Sequence, residues 1–180
     1  GYYNFNPSAD RAEQLAIADK MQQAIAHRGP DAHGVWQDPE CPLIFTHRRL
    51  AIIDLSKDGE QPMHSPSGRY VITYNGEVYN YLEIKKELQE SGINFKTKSD
   101  TEVILIAIET WGFDKALLRF NGMFAFSLWD REEKKLYFAR DRFGKKPLYI
   151  GWAGKSLIFS SELKSFHTHP KFKKEINPDN

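Results

Sequence analysis

Residues 70–80 read Tyr-Val-Ile-Thr-Tyr-Asn-Gly-Glu-Val-Tyr-Asn, and this stretch decides how the rest of the chain is interpreted. The run at residues 70–74 is rich in β-branched and aromatic side chains, which predicts a strand. Asn75-Gly76 favours a sharp turn, so we expect the strand to end there. Followed by Glu77, such a strand end presents an amide, a backbone N–H and a carboxylate, which suits a zwitterionic ligand or an oxyanion. On turn statistics alone, the same pair is more often only a turn.

The charge balance and composition exclude several classes of function. The 180 residues carry 25 Lys and Arg against 24 Asp and Glu, and 41% of them are hydrophobic. This composition predicts one globular domain and gives no electrostatic basis for binding nucleic acid or an anionic membrane. No apolar run reaches the roughly 20 residues of a membrane-spanning helix. A single cysteine, Cys41, is typical of a reducing compartment, so we predict a cytoplasmic location.

Metal and phosphate motifs are not found in the sequence. The six histidines show no metal-binding spacing, so we predict no metal site. Cys41 has no neighbouring base or helix start that would activate its thiol. The basic loop at residues 140–147 lacks the spacing of a P-loop, and we interpret it as a structural corner in which Asp141 offsets neighbouring arginines.

Periodicity and turn signals give a coarse map of the elements. The predicted helices cover residues 9–27, 81–91, 103–111 and 114–119. The other predicted strands cover residues 34–37, 43–46, 123–129, 136–140, 147–152 and 156–160. Ser99 and Glu102 fit a capping box at the start of the third helix. Helices gathered in the first part and hairpins in the last indicate a layered α+β fold.

Three charged residues each have two possible interpretations. Arg48 and Arg49 lie on opposite faces of an extended chain, so one of them is expected to point inward towards a carboxylate or a ligand. An arginine beside a core strand is, however, usually at the surface. Asp100, in the first turn of the third helix, either favours the helix dipole or faces a ligand ammonium.

Both ends of the chain are expected to be cut from a longer protein. Gly1 opens a strand pattern that is already under way. Residues 171–178 form a polar segment without a pattern that completes a fold.

Short motifs along the whole chain resemble the class II glutamine amidotransferase domain, in particular the N-terminal half of glutamine-hydrolysing asparagine synthetases. The matching motifs occupy, in order, residues 27–31, 49–54, 74–80, 99–102, 121–126, 140–149 and 160–164. The resemblance implies an N-terminal-nucleophile hydrolase fold, which is a four-layer αββα sandwich of two antiparallel sheets. It implies that residues 1–166 form this domain and that residues 167–180 begin a linker to a synthetase domain.

The resemblance also implies a reaction and its residues. Glutamine would be hydrolysed to glutamate and ammonia, and the ammonia would be used in an ATP-dependent amide transfer to aspartate. Asn75 and Gly76 would form the oxyanion hole, Arg49 would pair with the α-carboxylate of glutamine, and Asp100 with Glu77 would accept its α-ammonium. The residues assigned to the pocket wall are Leu50, Ala51, Ile52 and Ile53.

One departure from the family pattern bears on activity. The pattern begins Met-Cys-Gly-Ile-Ala-Gly, and Gly1 aligns with its last glycine. The nucleophilic cysteine, whose own α-amino group serves as the base, is therefore absent from the chain as given. Cys41 is internal and has no free α-amine. We accordingly predict that the 180-residue chain cannot hydrolyse glutamine.

The expected partners are L-glutamine and a C-terminal synthetase domain, with a homodimer as the candidate assembly. No cofactor is expected in this domain, since ATP and Mg²⁺ would act in the synthetase domain. Two alternatives stay open: a class II amidotransferase that serves another acceptor, and a non-catalytic module that binds glutamine or mediates assembly.

Overall fold

Helices and strands follow the chain largely as the sequence predicts, in a computed structural model that describes residues 1–6, 10–50 and 59–175. The strands are β1 (Tyr2–Asn4), β2 (Ala32–Gln37), β3 (Leu43–Arg49), β4 (Met63–His64), β5 (Tyr70–Val78), β6 (Gly122–Asp130), β7 (Lys135–Arg140), β8 (Tyr149–Ala153) and β9 (Ser156–Ser160). The helices are α1 (Arg11–Gln23), α2 (Tyr81–Glu90), α3 (Asp100–Trp111), α4 (Phe113–Arg119) and α5 (Leu163–Phe166), with a short 3-10 helix at Ala26–Arg28.

The described strands form two antiparallel sheets. One has the order β2-β3-β1-β9-β8, and the other has the order β4-β5-β6-β7. In the first sheet, β1 pairs with β3 on one side and with β9 on the other, so the start of the chain is a central strand. The two-sheet α+β prediction is confirmed.

Alternation along the strands sends neighbouring side chains to different layers. Ile44 and Ile158 pack with Met21 of α1 on the outer side of the first sheet. The next residues along the same strands, Phe45 and Phe159, belong to a cluster between the sheets, which also contains Val71, Leu43 and Trp129. On the outer side of the second sheet, a third cluster joins Ile72, Phe126 and Leu128 to the apolar faces of α2 and α3. Three buried clusters between four layers give the predicted αββα sandwich.

The course of β5 corrects the interpretation of Asn75-Gly76 as a turn. The strand continues to Val78, with Asn75 opposite Ala125 and Gly76 opposite Phe124. The turn prediction was wrong because β6 offers a backbone partner along the whole length of β5. Glycine is required at position 76 for another reason: a Cβ there would lie 2.2 Å from the carbonyl oxygen of Met123.

The start of α3 confirms one half of the predicted capping box. The Ser99 side chain accepts a hydrogen bond from the N–H of Thr101 at 3.2 Å. Glu102 does not reach back to Ser99. Its carboxylate instead accepts from the N–H groups of Lys96 and Thr97, at 2.8 and 2.7 Å, so it anchors the incoming loop.

The role predicted for Asp141 in the corner at residues 140–147 was wrong. Asp141 does not act by offsetting arginines. Its buried carboxylate accepts hydrogen bonds from the N–H groups of Phe124, Phe143, Lys145 and Lys146, at 2.9 to 3.2 Å. Burial alone would raise the pKa of Asp141, but these backbone donors hold it below its ordinary value.

Ordered contacts continue beyond α5. His169 is 3% exposed, and the ring of Phe172 lies 5.6 Å from that of Phe166. The domain boundary at residue 166 stays a prediction. None of the described helices is both long and apolar enough to cross a membrane.

Candidate active site

A cavity of about 440 Å³ opens where β3 ends, where the second half of β5 runs and where α3 begins. The predicted site residues that line it are Arg49, Leu50, Asn75, Gly76, Glu77 and Asp100. They come from three separate motifs of the sequence, and the fold brings them to one cavity. The predicted wall residues Ala51, Ile52 and Ile53 lie outside the described residues.

One edge of β5 is only partly covered by its neighbouring strand. β4 pairs with β5 at Val71 and Ile72 only, and the alternation of a strand points the N–H groups of Tyr74, Gly76 and Val78 to this same edge. The N–H of Tyr74 donates to Oε1 of Gln61 at 2.6 Å, and the N–H of Val78 donates to Oδ2 of Asp100 at 3.0 Å. Gly76 lies between these two side-chain caps and lines the cavity.

Asp100 is held by two donors on the same oxygen. Besides the N–H of Val78, the phenol of Tyr74 donates to Oδ2 of Asp100 at 2.6 Å. Burial, followed by the negative charge of Asp100, raises the pKa of Tyr74, so this phenol stays a donor at neutral pH. Within the described part of the chain, Oδ1 of Asp100 has no hydrogen-bond partner. Oδ1 of Asp100 can therefore accept a hydrogen bond from a cation.

The backbone of Arg49 is fixed by the motif at residues 27–31. Arg49 ends β3 opposite Ala32, forms a parallel bridge with Pro30 and accepts a hydrogen bond from the N–H of Asp31 at 3.1 Å. Gly29 lies so close that a Cβ there would be 2.4 Å from the carbonyl carbon of Arg48. The motif therefore holds the strand end that carries the candidate carboxylate-binding arginine.

Glu162 joins two motifs to which sequence reasoning gave no role. Its Oε1 lies 3.0 Å from Nε2 of His27 and 3.0 Å from a guanidinium nitrogen of Arg28. Burial alone would raise the pKa of Glu162, but the bonds from Arg28 and His27 lower it. Arg28 also lines the cavity, so the ion pair with Glu162 holds one of the lining side chains.

Sequence reasoning missed three residues at the cavity. His47 lines it, and burial, with a further contribution from the charge of Arg49, lowers the pKa of His47 to about 4. Tyr74 had the pattern of an ordinary strand residue, and Gln61 that of a loop residue before a proline. Their partners are distant in sequence, so no local pattern marks them.

Cys41 lies apart from this site. Burial, and then the negative charge of Asp38, raises the pKa of its thiol, which makes it a poor nucleophile. Asp38 is fully buried and accepts hydrogen bonds from the N–H of Cys41 and from Nε1 of Trp129. This loop therefore serves the core between the sheets. Among the described residues, no cluster of His, Cys, Asp and Glu could hold a metal ion.

Gly1 lies at the cavity, because it forms part of the lining. Its amino group donates to the carbonyl oxygen of Phe159 at 2.8 Å, and the N–H of Phe159 donates to the carbonyl of Gly1 at 3.1 Å. Burial lowers the pKa of this amino group to about 5. The N-terminal end of β1 therefore lies at the cavity.

The chain is similar to known proteins in sequence and in fold. The sequence model of the glutamine amidotransferase domain matches residues 3–180. The chain is 42% identical over 165 residues to glutamine-hydrolysing asparagine synthetase 1 of Bacillus subtilis (strain 168), covering 92% of this chain and 26% of that protein. It is 39% identical over 175 residues to a putative glutamine-hydrolysing asparagine synthetase 2 of Methanocaldococcus jannaschii, covering 88% of this chain and 33% of the relative.

A relative with another name is about as similar. Amidase chry2 of Gibberella zeae is 39% identical over 159 residues, which cover 88% of this chain and 23% of the amidase. The chain thus spans between about a fifth and a third of the length of these curated relatives.

Solved structures share the fold. The allosteric regulatory enzyme of purine biosynthesis superposes with a TM-score of 0.76 at 24% identity, over 85% of this chain and 40% of that one. Glutamine phosphoribosylpyrophosphate amidotransferase from B. subtilis gives a TM-score of 0.70 at 23% identity, over the same shares of the two chains.

Proposed function

The chain belongs to the glutamine amidotransferase domain family, and from this premise we propose that its cavity binds L-glutamine for hydrolysis to glutamate and ammonia. The observation that carries the proposal is the convergence of Arg49, Asn75-Gly76 and Asp100 on one cavity. The three motifs offer a cation, neutral donors and an anion. A zwitterionic amino acid with a side-chain amide needs the same three partners.

In this proposal, the two charged ends of glutamine bind to opposite charges. The guanidinium of Arg49 pairs with the α-carboxylate, for which its planar fork of donors is suited. Oδ1 of Asp100, assisted by Glu77, accepts from the α-ammonium. Since Oδ2 of Asp100 is already fixed by Tyr74 and Val78, little ordering of this carboxylate is needed on binding.

The oxyanion of the tetrahedral intermediate would be stabilised by the side-chain amide of Asn75 and the N–H of Gly76. This assignment is supported by the open edge of β5. There the N–H groups of Tyr74 and Val78, on either side of Gly76, are capped by side chains, and the N–H of Gly76 points to the same edge. Losing one donor of this kind typically costs about 2.7–4 kcal/mol of transition-state stabilisation.

Hydrolysis also needs a nucleophile, and Cys41, the single cysteine of the sequence, does not line the cavity. β1 is antiparallel to β3, with Tyr2 opposite Ile44 and Tyr3 opposite Leu43. Each residue added ahead of Gly1 therefore moves one residue further along β3, and the fourth added residue is opposite Arg49. A Cys-Gly-Ile-Ala extension, as in the family pattern, would bring its cysteine to the glutamine site. We propose that the chain binds glutamine as it is and hydrolyses it only with such a cysteine.

The acceptor of the ammonia is proposed from the relatives. Two relatives at 39–42% identity are named as asparagine synthetases, which favours aspartate as the acceptor and an ATP- and Mg²⁺-dependent synthetase region in the longer protein. The similarity to Amidase chry2 favours a second candidate, an amidotransferase with a different acceptor. Formation of asparagine from aspartate, ATP and glutamine by the longer protein would separate the two.

Calorimetric titration with L-glutamine tests the binding step. We expect Arg49→Ala and Asp100→Asn each to weaken binding at least about tenfold, because each leaves one charged end of the ligand unpaired. Arg142→Ala and Asp114→Asn, which change exposed residues of the same types, are the matched controls. Tight binding by either site variant would refute the assignment.

A further inference from the structure

The side-chain amide of Gln61 bonds to two different elements beside the cavity. Its Oε1 accepts from the N–H of Tyr74 at 2.6 Å, and its Nε2 lies 3.4 Å from Oγ1 of Thr101. The first is a short hydrogen bond to a central strand, and the second is a longer contact to the first turn of α3. The scheme proposed above uses the first bond only as a cap on the Tyr74 N–H, and it does not use the contact with Thr101.

Gln61 stands where the strand ladder stops. β4 and β5 pair with Met63 opposite Ile72 and with His64 opposite Val71, so the same register places residue 61 opposite Tyr74. At that position the acceptor for the Tyr74 N–H is the Gln61 side chain and not a backbone carbonyl. An amide side chain can accept from the strand and donate to the helix at the same time, whereas a leucine of similar size can do neither.

The main chain at Gln61 is seated against the other sheet. Its carbonyl oxygen lies 1.9 Å from where a Cβ on Gly34 would be, so β2 approaches this residue closely because it has a glycine there. Because the backbone of Gln61 is held in this way, its side chain can keep Tyr74 and Thr101 at a fixed separation.

The two residues bound by Gln61 are neighbours of the two halves of the proposed site. Tyr74 directly precedes Asn75-Gly76, which would form the oxyanion hole, and Thr101 directly follows Asp100, which would accept the ammonium. We propose that Gln61 is a positioning residue of the glutamine site, which fixes the spacing between the oxyanion donors and the ammonium acceptor. This inference rests on the proposed function and deepens it.

The test combines glutamine titration with hydrogen exchange of the Tyr74 amide, measured on the 180-residue chain. For Gln61→Leu, we expect this amide to exchange at least about tenfold faster. We also expect the dissociation constant for L-glutamine to rise about five- to tenfold at unchanged stoichiometry, in line with the loss of a partly buried hydrogen bond. Gln61→Glu should keep the amide protected, because its carboxylate still accepts. Gln89→Leu, an exposed change on α2, is the matched control and should alter neither quantity.

Each outcome bears on a different claim. If the unaltered chain does not bind L-glutamine, the proposed function falls and this inference falls with it. If the unaltered chain binds and Gln61→Leu binds within twofold of it, the positioning role alone is overturned. The same holds if Gln61→Leu lowers only the binding stoichiometry, since a smaller folded fraction with an intact site indicates a purely structural role.

Discussion

The phenolic oxygen of Tyr74 lies 2.6 Å from Oδ2 of Asp100, so the residue beside the proposed oxyanion donors also holds the proposed ammonium acceptor. The N–H of the same Tyr74 is held by Gln61. One residue of β5 thus connects both halves of the proposed site.

Removing the phenol should loosen Asp100. In Tyr74→Phe, Oδ2 of Asp100 keeps only the bond from the N–H of Val78. We expect L-glutamine affinity to fall by about 1 kcal/mol, the typical net value of one hydrogen bond. Calorimetric titration measures this, with Tyr79→Phe as the control because Tyr79 is 54% exposed and does not line the cavity. An equal loss in both variants would argue against a specific role for Tyr74.

The close packing at Gly76 predicts a steric effect. A Cβ at this position would lie 2.2 Å from the carbonyl oxygen of Met123 and 2.6 Å from Cα of Phe124, so β5 and β6 would have to separate. Urea denaturation of Gly76→Ala should show a loss of about 2 kcal/mol in the free energy of unfolding. At Gly68 an added Cβ meets nothing within 4 Å, so Gly68→Ala should lose less. The reverse order would contradict the packing.

The lowered pKa of the partly buried His47 predicts that stability depends on pH. Its pKa is about 4 in the folded chain and about 6.5 when unfolded, so the unfolded state binds more protons between these values. This contribution to stability is complete above about pH 6.5 and is lost as the pH falls towards 4, by on the order of 3 kcal/mol at most.

His47→Gln isolates this contribution. Denaturation curves from pH 4 to 8 should show a shallower decline for the variant than for the unaltered chain. The Gly1 amino group, whose pKa is lowered to about 5, acts in the same direction in both proteins and cancels in the difference. Parallel declines would mean that the pKa of His47 is not lowered in the folded chain.

Asp141 should matter more for stability than an exposed carboxylate does. Its four backbone donors are satisfied by two carboxylate oxygens, and an amide would replace one of these oxygens by a donor. We expect Asp141→Asn to lower the free energy of unfolding by about 2–3 kcal/mol, in the range for hydrogen bonds to charged groups. Asp114→Asn, on the exposed side of α4, should change it by less than about 0.5 kcal/mol. Thermal melting of both variants measures this difference, and equal losses of stability would contradict the role of Asp141.

Local patterns were sufficient for much of the fold and failed where a distant partner decides. Ser99 is marked as a cap by its own neighbourhood, and the alternation in β6 separates Leu128 from Trp129 correctly. The Asn75-Gly76 turn failed because pairing with β6, far along the chain, overrides the local preference for a turn.

The site shows the same limit. Arg49 and Asp100 were individually weak signals, and the resemblance of several motifs to one family gave them weight. Gln61 has no such signal, because its role comes from the register of β4 and β5 and from the close approach of Gly34. Contacts of this kind are set by the assembled layers and not by any window of the sequence.

The most direct test of the account is a glutaminase assay on the chain extended at its N-terminus by Cys-Gly-Ile-Ala. Ala-Gly-Ile-Ala is the matched control, and glutamate release is the measurement. We predict turnover only with the cysteine extension, while the unextended chain and the alanine control bind glutamine without hydrolysing it. Turnover by the unextended chain, or an inert cysteine extension that still binds glutamine, would contradict the proposed site.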